Sequence, residues 1–153
     1  MSIKKQKIYL DTSVISAYYD ERQIDRMKLT RESYQKIKFF DLYISEITLN
    51  ELEQTTDIER KNKFLKFTQG LNILPLTLQA KKLSQIYSQT KIIPVKFQDD
   101  IFQIAIAVTN NMNYILSWNF KHMVNLSVRT VINAINVQQG YAQIEILAPP
   151  EML

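Results

Sequence analysis

Five apolar clusters of two to four residues are set between much longer stretches with helical periodicity, and this alternation constrains the fold more than any other feature of the chain. Ile8-Tyr9-Leu10, Leu42-Tyr43-Ile44, Ile73-Leu74 before Pro75, Tyr114-Ile115-Leu116, and Ile144 to Leu147 before Pro149-Pro150 read as short buried strands. Between them, Ile101, Ile104, Ala105 and Val108 follow the i, i+3, i+4, i+7 spacing of a buried helical face. Arg22 to Phe39, Ile58 to Phe67, Leu78 to Tyr87 and Val128 to Val137 also read as helices. Short strands joined by helices imply an α/β fold, with a mostly parallel five-stranded sheet covered on both faces. The 153 residues fit one domain, 1–153, with no repeat and no break in composition. In sheets of this type ligands bind outside the carboxyl ends of the strands. Attention therefore falls on the residues just after Leu10, Ile44, Leu74 and Leu116.

Composition narrows the chemistry. The absence of cysteine removes disulfide scaffolds and thiolate metal sites, and it agrees with a reducing compartment. An excess of 19 Lys and Arg over 15 Asp and Glu is compatible with a polyanionic partner. No secretory signal is visible, and the apolar run Ile101 to Val108 is far too short to span a bilayer. The expectation is a soluble cytoplasmic protein that does not engage membranes.

Carboxylates recur at the places the topology singles out. Asp11 follows the first strand directly; either it points into the crevice or, with Thr12, it caps the next helix. After the second strand, Ser45 is a plausible N-cap and Glu51 borders an apolar face. Thr48 and Glu51 also have capping-box spacing, while Glu46 and Glu53 read as solvated. Asp99 and Asp100 open an amphipathic helix. Helical phase puts Asp100 on a stripe with Ile104 and Ala107, facing the sheet. Asp99 falls on a more polar stripe with Gln103, Ile106 and Asn110, as the better cap. After the fourth strand, Asn119 stands where a strand end delivers a polar group. His122, the single histidine, is either structural or a site residue, and Trp118 is either core or a stacking surface for a base. Arg22, Arg26, Lys121 and Arg129 are either phosphate contacts or ordinary solvated charges. Carboxylates from distant segments at one sheet edge repel each other unless a hard cation joins them. An all-oxygen set suits Mg²⁺ or Mn²⁺.

The segments Leu-Asp-Thr-Ser-Val-Ile (10–15), Ser-Glu-Ile-Thr-Leu-Asn-Glu-Leu (45–52), Asp-Ile-Phe-Gln-Ile-Ala-Ile-Ala (100–107) and Tyr-Ile-Leu-Ser-Trp-Asn (114–119) together resemble PIN domains. Among these the chain is most similar to the VapC-like toxins of bacterial toxin–antitoxin pairs. The resemblance spans nearly the whole chain. It implies an α/β/α sandwich and a Mg²⁺- or Mn²⁺-dependent ribonuclease, with Asp11, Glu51 and Asp100 as the three acidic ligands. Asn119 completes the catalytic set, and Ser13, Asp99, His122 and Lys121 are supporting or substrate-contacting residues. An RNA substrate, a cognate antitoxin and a homodimer are further implications. The chain departs from the family at Asn119, where many PIN domains carry a fourth acid; an amide oxygen there binds or orients without adding charge.

Two other classes compete. A PIN-like module that binds RNA or antitoxin with little catalysis accommodates Asn119. A haloacid-dehalogenase-like phosphatase would want a second acid where Ser13 stands, and a response-regulator receiver would want a phosphorylatable Asp after the third strand, where Leu74-Pro75-Leu76 offers none.

Overall fold

Residues 5–153 are described by the structure, a computed structural model. The element order is β1 (Lys7–Leu10), α1 (Thr12–Tyr18), α2 (Ile24–Ile37), β2 (Asp41–Ser45), α3 (Glu46–Glu53), α4 (Ile58–Thr68), β3 (Asn72–Leu74), α5 (Leu78–Gln89), a 3₁₀ turn (Val95–Phe97), α6 (Gln98–Thr109), β4 (Tyr114–Leu116), α7 (Leu126–Gln138), β5 (Glu145–Leu147) and a second 3₁₀ turn (Pro149–Met152). All five strands pair in parallel in the order β3-β2-β1-β4-β5. The expected α/β fold with a five-stranded sheet is thus observed.

Side-chain alternation along the strands builds two cores. Ile8, Leu10, Leu42, Ile44 and Leu116 face Val14 and Ile15 of α1, Ile37 of α2 and Phe64 of α4. Tyr9, Ile115 and Ile146 face the other way, against Leu83 and Tyr87 of α5, Ile101 and Ile104 of α6, and Val128 and Ile132 of α7. The central strand β1 is buried on both sides and its last three residues are apolar, whereas the edge strands β3 and β5 keep exposed positions at Asn72, Ile73 and Glu145. Local signals set the helix ends. Asp57, Thr77 and Asn125 cap α4, α5 and α7 with their side chains. The cap at Asn125 starts α7 two residues before the expected Val128. Both glycines of the chain sit just beyond helices, Gly70 after α4 and Gly140 after α7, at φ of 88° and 83°.

The chain runs outward from β1 to β2 and β3 on one side of the sheet, then returns to place β4 and β5 on the other. The order therefore reverses between β1 and β4, and the connections leaving the carboxyl ends of these two strands run in opposite directions, which leaves a crevice there. Asp11 and Ser117 are the first residues past those ends. Their backbone N–H groups extend the ladder by bonds to Leu116 O and Leu147 O, 3.0 Å each.

Candidate active site

The crevice is a cleft of about 440 Å³ whose lining includes Asp11, Asp20, Glu51 and Asp100 as acids and Arg26 as the single base. Asp11, Glu51 and Asp100 arrive from β1, α3 and α6, so the three expected acids do reach one rim of the sheet.

Asp11 is 4% exposed. Its Oδ2 accepts from Ser13 Oγ at 2.6 Å, from Ser117 Oγ at 2.8 Å and from Ser13 N at 3.4 Å. The two sequence-based readings of Asp11 therefore hold together: one oxygen caps α1 while the residue lines the crevice. Among the described residues no hydrogen bond reaches Oδ1. Asp100 is held the same way, its Oδ2 facing Asn119 Nδ2 and His122 Nδ1, both at 3.2 Å. Two carboxylates are each fixed through one oxygen, with the other left for a ligand.

Asn119 turns its nitrogen, not its oxygen, toward Asp100. Oδ1 accepts instead from the backbone N–H of His122 at 2.9 Å and of Lys121 at 3.2 Å. Of the two roles open to Asn119 in the sequence, binding or orienting, this geometry has it hold Asp100 through the amide nitrogen. His122 is buried, packs on Phe97 with ring centroids 4.1 Å apart, and presents Nδ1 to Asp100 while its Nε2 has no partner.

The electrostatics show the strain of the cluster. Burial first, and then the Asp11 carboxylate, push the Glu51 carboxyl up to about 7, with Asp99 and Asp100 adding to the rise. Thr12 opposes it, although the buried Thr12 hydroxyl reaches hydrogen-bond geometry with no partner. Burial and Asp11 likewise raise Asp100, against the lowering influence of His122 and Asn119.

Other expectations are revised by packing. Thr48 and Glu51 form no capping box, because α3 begins at Glu46 and Thr48 lies inside it, fully buried. Asp99 is exposed and caps nothing, since Phe97 holds the N-cap position of α6. Its stripe is not polar either, with Gln103 1% and Ile106 0% exposed. Lys121 is exposed and lies outside the cleft lining. Arg22 pairs with Asp20 at 2.9 Å, and Arg129 reaches Ile146 O from α7. Arg26 alone of the four cations lines the cleft, its guanidinium 4.7 Å from the Trp118 ring centroid. Trp118 is half-buried against the α1/α2 core, donates to Thr30 Oγ1 at 2.9 Å, and also lines the cleft. Ser117 was not singled out by the sequence, although its place directly after β4 was a signal for it.

An all-oxygen donor set fits a hard divalent ion. Yet among the described residues no three acid or imidazole groups are gathered closely enough to make a ready ligand shell. The two facts agree for Mg²⁺ or Mn²⁺, because Mg²⁺ keeps several waters and takes only one or two carboxylates directly. Asp11 Oδ1 and Asp100 Oδ1, which accept no hydrogen bond among the described residues, are the oxygens that would hold such an ion, with Glu51 in the same cleft.

Fold and crevice together define the VapC-like PIN fold. Three solved structures carry that statement. One is VapBC2 from Rickettsia felis bound to a DNA fragment from their promoter, with TM-score 0.63 and 13% identity over 94% of this chain and 98% of that one. The second is DNA-bound VapBC from Salmonella typhimurium, with TM-score 0.53 and 16% identity over 94% and 98%. The third is Mycobacterium tuberculosis VapC20, a Sarcin-Ricin loop cleaving toxin, with TM-score 0.53 and 13% identity over 74% and 92%. No family model and no curated protein matches the chain.

Proposed function

We propose that this chain is a single-domain, divalent-metal-dependent endoribonuclease, the toxin of a toxin–antitoxin pair. The observation that carries the reading is the charge of the cleft: four carboxylates and one guanidinium line a crevice at the switch point of the sheet. A cleft of that sign repels a phosphodiester unless a cation intervenes. A bound Mg²⁺ or Mn²⁺ supplies an activated water and offsets the charge that develops on the phosphate.

Asp11 and Asp100 would hold the ion, and Glu51 would orient the attacking water. Ser13 and Ser117 fix Asp11, while Asn119 and His122 fix Asp100. Asp99, exposed at the first turn of α6, adds negative field, and Lys121 meets RNA only outside the cleft. Arg26, stacked on Trp118, is placed to receive a phosphate from the mouth. The solved structures of like fold are VapBC complexes and a Sarcin-Ricin loop cleaving toxin. They support an RNA substrate, a cognate antitoxin and, by the family resemblance, a homodimer working in the cytoplasm. Among the described residues no helix is long and apolar enough to cross a membrane.

The test is cleavage of a single-stranded RNA panel with Mg²⁺ or Mn²⁺. The parent cuts and chelator stops it, whereas Asp11→Asn and Asp100→Asn fall to background; variants as fast as the parent refute the assignment. A second reading, an RNA- or antitoxin-binding module with weak catalysis, draws on Asn119 and on the open spacing of the acids. Normal RNA binding with no metal uptake favours it.

A further inference from the structure

Behind the cleft floor lies a buried polar knot. Tyr9 OH stands 2.7 Å from Ser45 Oγ, 3.2 Å from Thr48 Oγ1 and 3.0 Å from Gln103 Oε1, and Thr48 Oγ1 donates to the same Gln103 oxygen at 2.9 Å. All four residues are 0–1% exposed. The protons assign themselves in order. Tyr9 and Thr48 each give their one proton to Gln103 Oε1, so Ser45 donates to Tyr9.

The positions of these residues matter more than the bonds alone. Tyr9 lies two residues before Asp11 on an extended segment, hence on the same face. Thr48 is one helical turn before Glu51, and Gln103 is one turn after Asp100. The knot therefore ties together the three elements that carry the acids, each at a residue two or three positions from its acid. The amide nitrogen of Gln103 finds no partner. Gln103 Oε1 is nonetheless the acceptor on which both buried hydroxyl protons depend, so the three residues form one unit across β1, α3 and α6.

Resting on the metal-site reading above, we propose that Tyr9, Thr48 and Gln103 are positioning residues that set the spacing of Asp11, Glu51 and Asp100 for a shared divalent cation. A network satisfied across three elements fixes their relative register, where apolar contacts tolerate sliding.

The chain contains its own control. Tyr87 is equally buried in the same core, and its hydroxyl bonds Asn136 between α5 and α7, touching no acid-bearing residue. Titration calorimetry with Mn²⁺ on Tyr9→Phe, Thr48→Val, Thr48→Ser and Tyr87→Phe, with melting curves alongside, separates positioning from stability. Tyr9→Phe and Thr48→Val are expected to bind Mn²⁺ about tenfold more weakly or worse, in the range of lost supporting contacts. Thr48→Ser should bind as the parent does, and Tyr87→Phe should lose melting temperature without losing Mn²⁺. Parent-like Mn²⁺ affinity in Tyr9→Phe and Thr48→Val overturns the inference, as does an equal loss in Tyr87→Phe. If Tyr9→Phe does not fold, the Thr48→Val and Thr48→Ser pair carries the test. A parent that takes up no Mn²⁺, or an Asp11→Asn variant that binds it fully, refutes the metal site itself and this inference with it.

Discussion

Replacing Glu51 with glutamine should make the metal-free protein more stable above neutral pH, because the side chain is held where its charge is unwelcome. Its carboxyl rises from an ordinary 4.5 to about 7 through burial and neighbouring acids. Below 4.5 the group is protonated whether the chain is folded or not, and it contributes no pH dependence. Between 4.5 and about 7 the folded state holds a proton that the unfolded state has released, so stability falls as pH rises through that window. Above it the penalty is complete. At 1.36 kcal/mol per pH unit its ceiling is about 3.4 kcal/mol. Partial exposure and solvent screening reduce that to about 1–2 kcal/mol. Urea unfolding of parent and Glu51→Gln in chelator, at pH 4.5 and pH 8, measures it. The variant should gain that amount at pH 8 and little at pH 4.5. A destabilised variant at pH 8, or an equal gain at both pH values, would refute the reasoning that the acids load the cleft with repulsion.

Asn119→Asp places a fifth carboxylate in the cleft, beside Asp100, and removes a donor from it; Mn²⁺ should bind more tightly by calorimetry while the metal-free protein melts earlier. His122→Ala strips the other partner from Asp100, and activity or metal affinity should fall about 10–100-fold. Arg26→Ala should raise KM for RNA with kcat nearly unchanged, and the slope of log affinity against log salt should shrink by about one contact's worth. Below about pH 7 a cation must displace the proton Glu51 holds, so metal affinity in the parent should climb as pH rises to about 7 and level off above it; a flat profile across that window contradicts the assignment.

The inner strands were legible because burial on both faces keeps their centres apolar, as in Ile8-Tyr9-Leu10 and Tyr114-Ile115-Leu116; the edge strands β3 and β5, partly exposed, were marked by the prolines that follow them. Asp100 was legible through helical phase, since Ile104 and Ala107 on its stripe are both buried. Phase failed for Asp99. An apolar helix packed on most sides also buries Gln103 and Ile106, which makes the polar stripe an illusion of composition. Spacing misled at Thr48 and Glu51 because the helix start, set by Ser45 at the end of β2, decides whether a capping pattern is at a cap at all. The orientation of Asn119 depends on an Asx-type turn with the His122 and Lys121 amides, and residue type alone does not encode it. The Arg26–Trp118 stack and the Tyr9–Thr48–Gln103 knot join residues far apart in sequence. Only the topology brings them together.

The account stands on Asp11 and Asp100 presenting their open oxygens to one ion. Anomalous diffraction from a crystal soaked in Mn²⁺ reads that directly. The expected result is a peak in the cleft about 2.0–2.2 Å from Asp11 Oδ1 and from Asp100, with Glu51 reached directly or through a water. A cleft without such a peak at saturating Mn²⁺, or an ion bound elsewhere on the molecule, contradicts it.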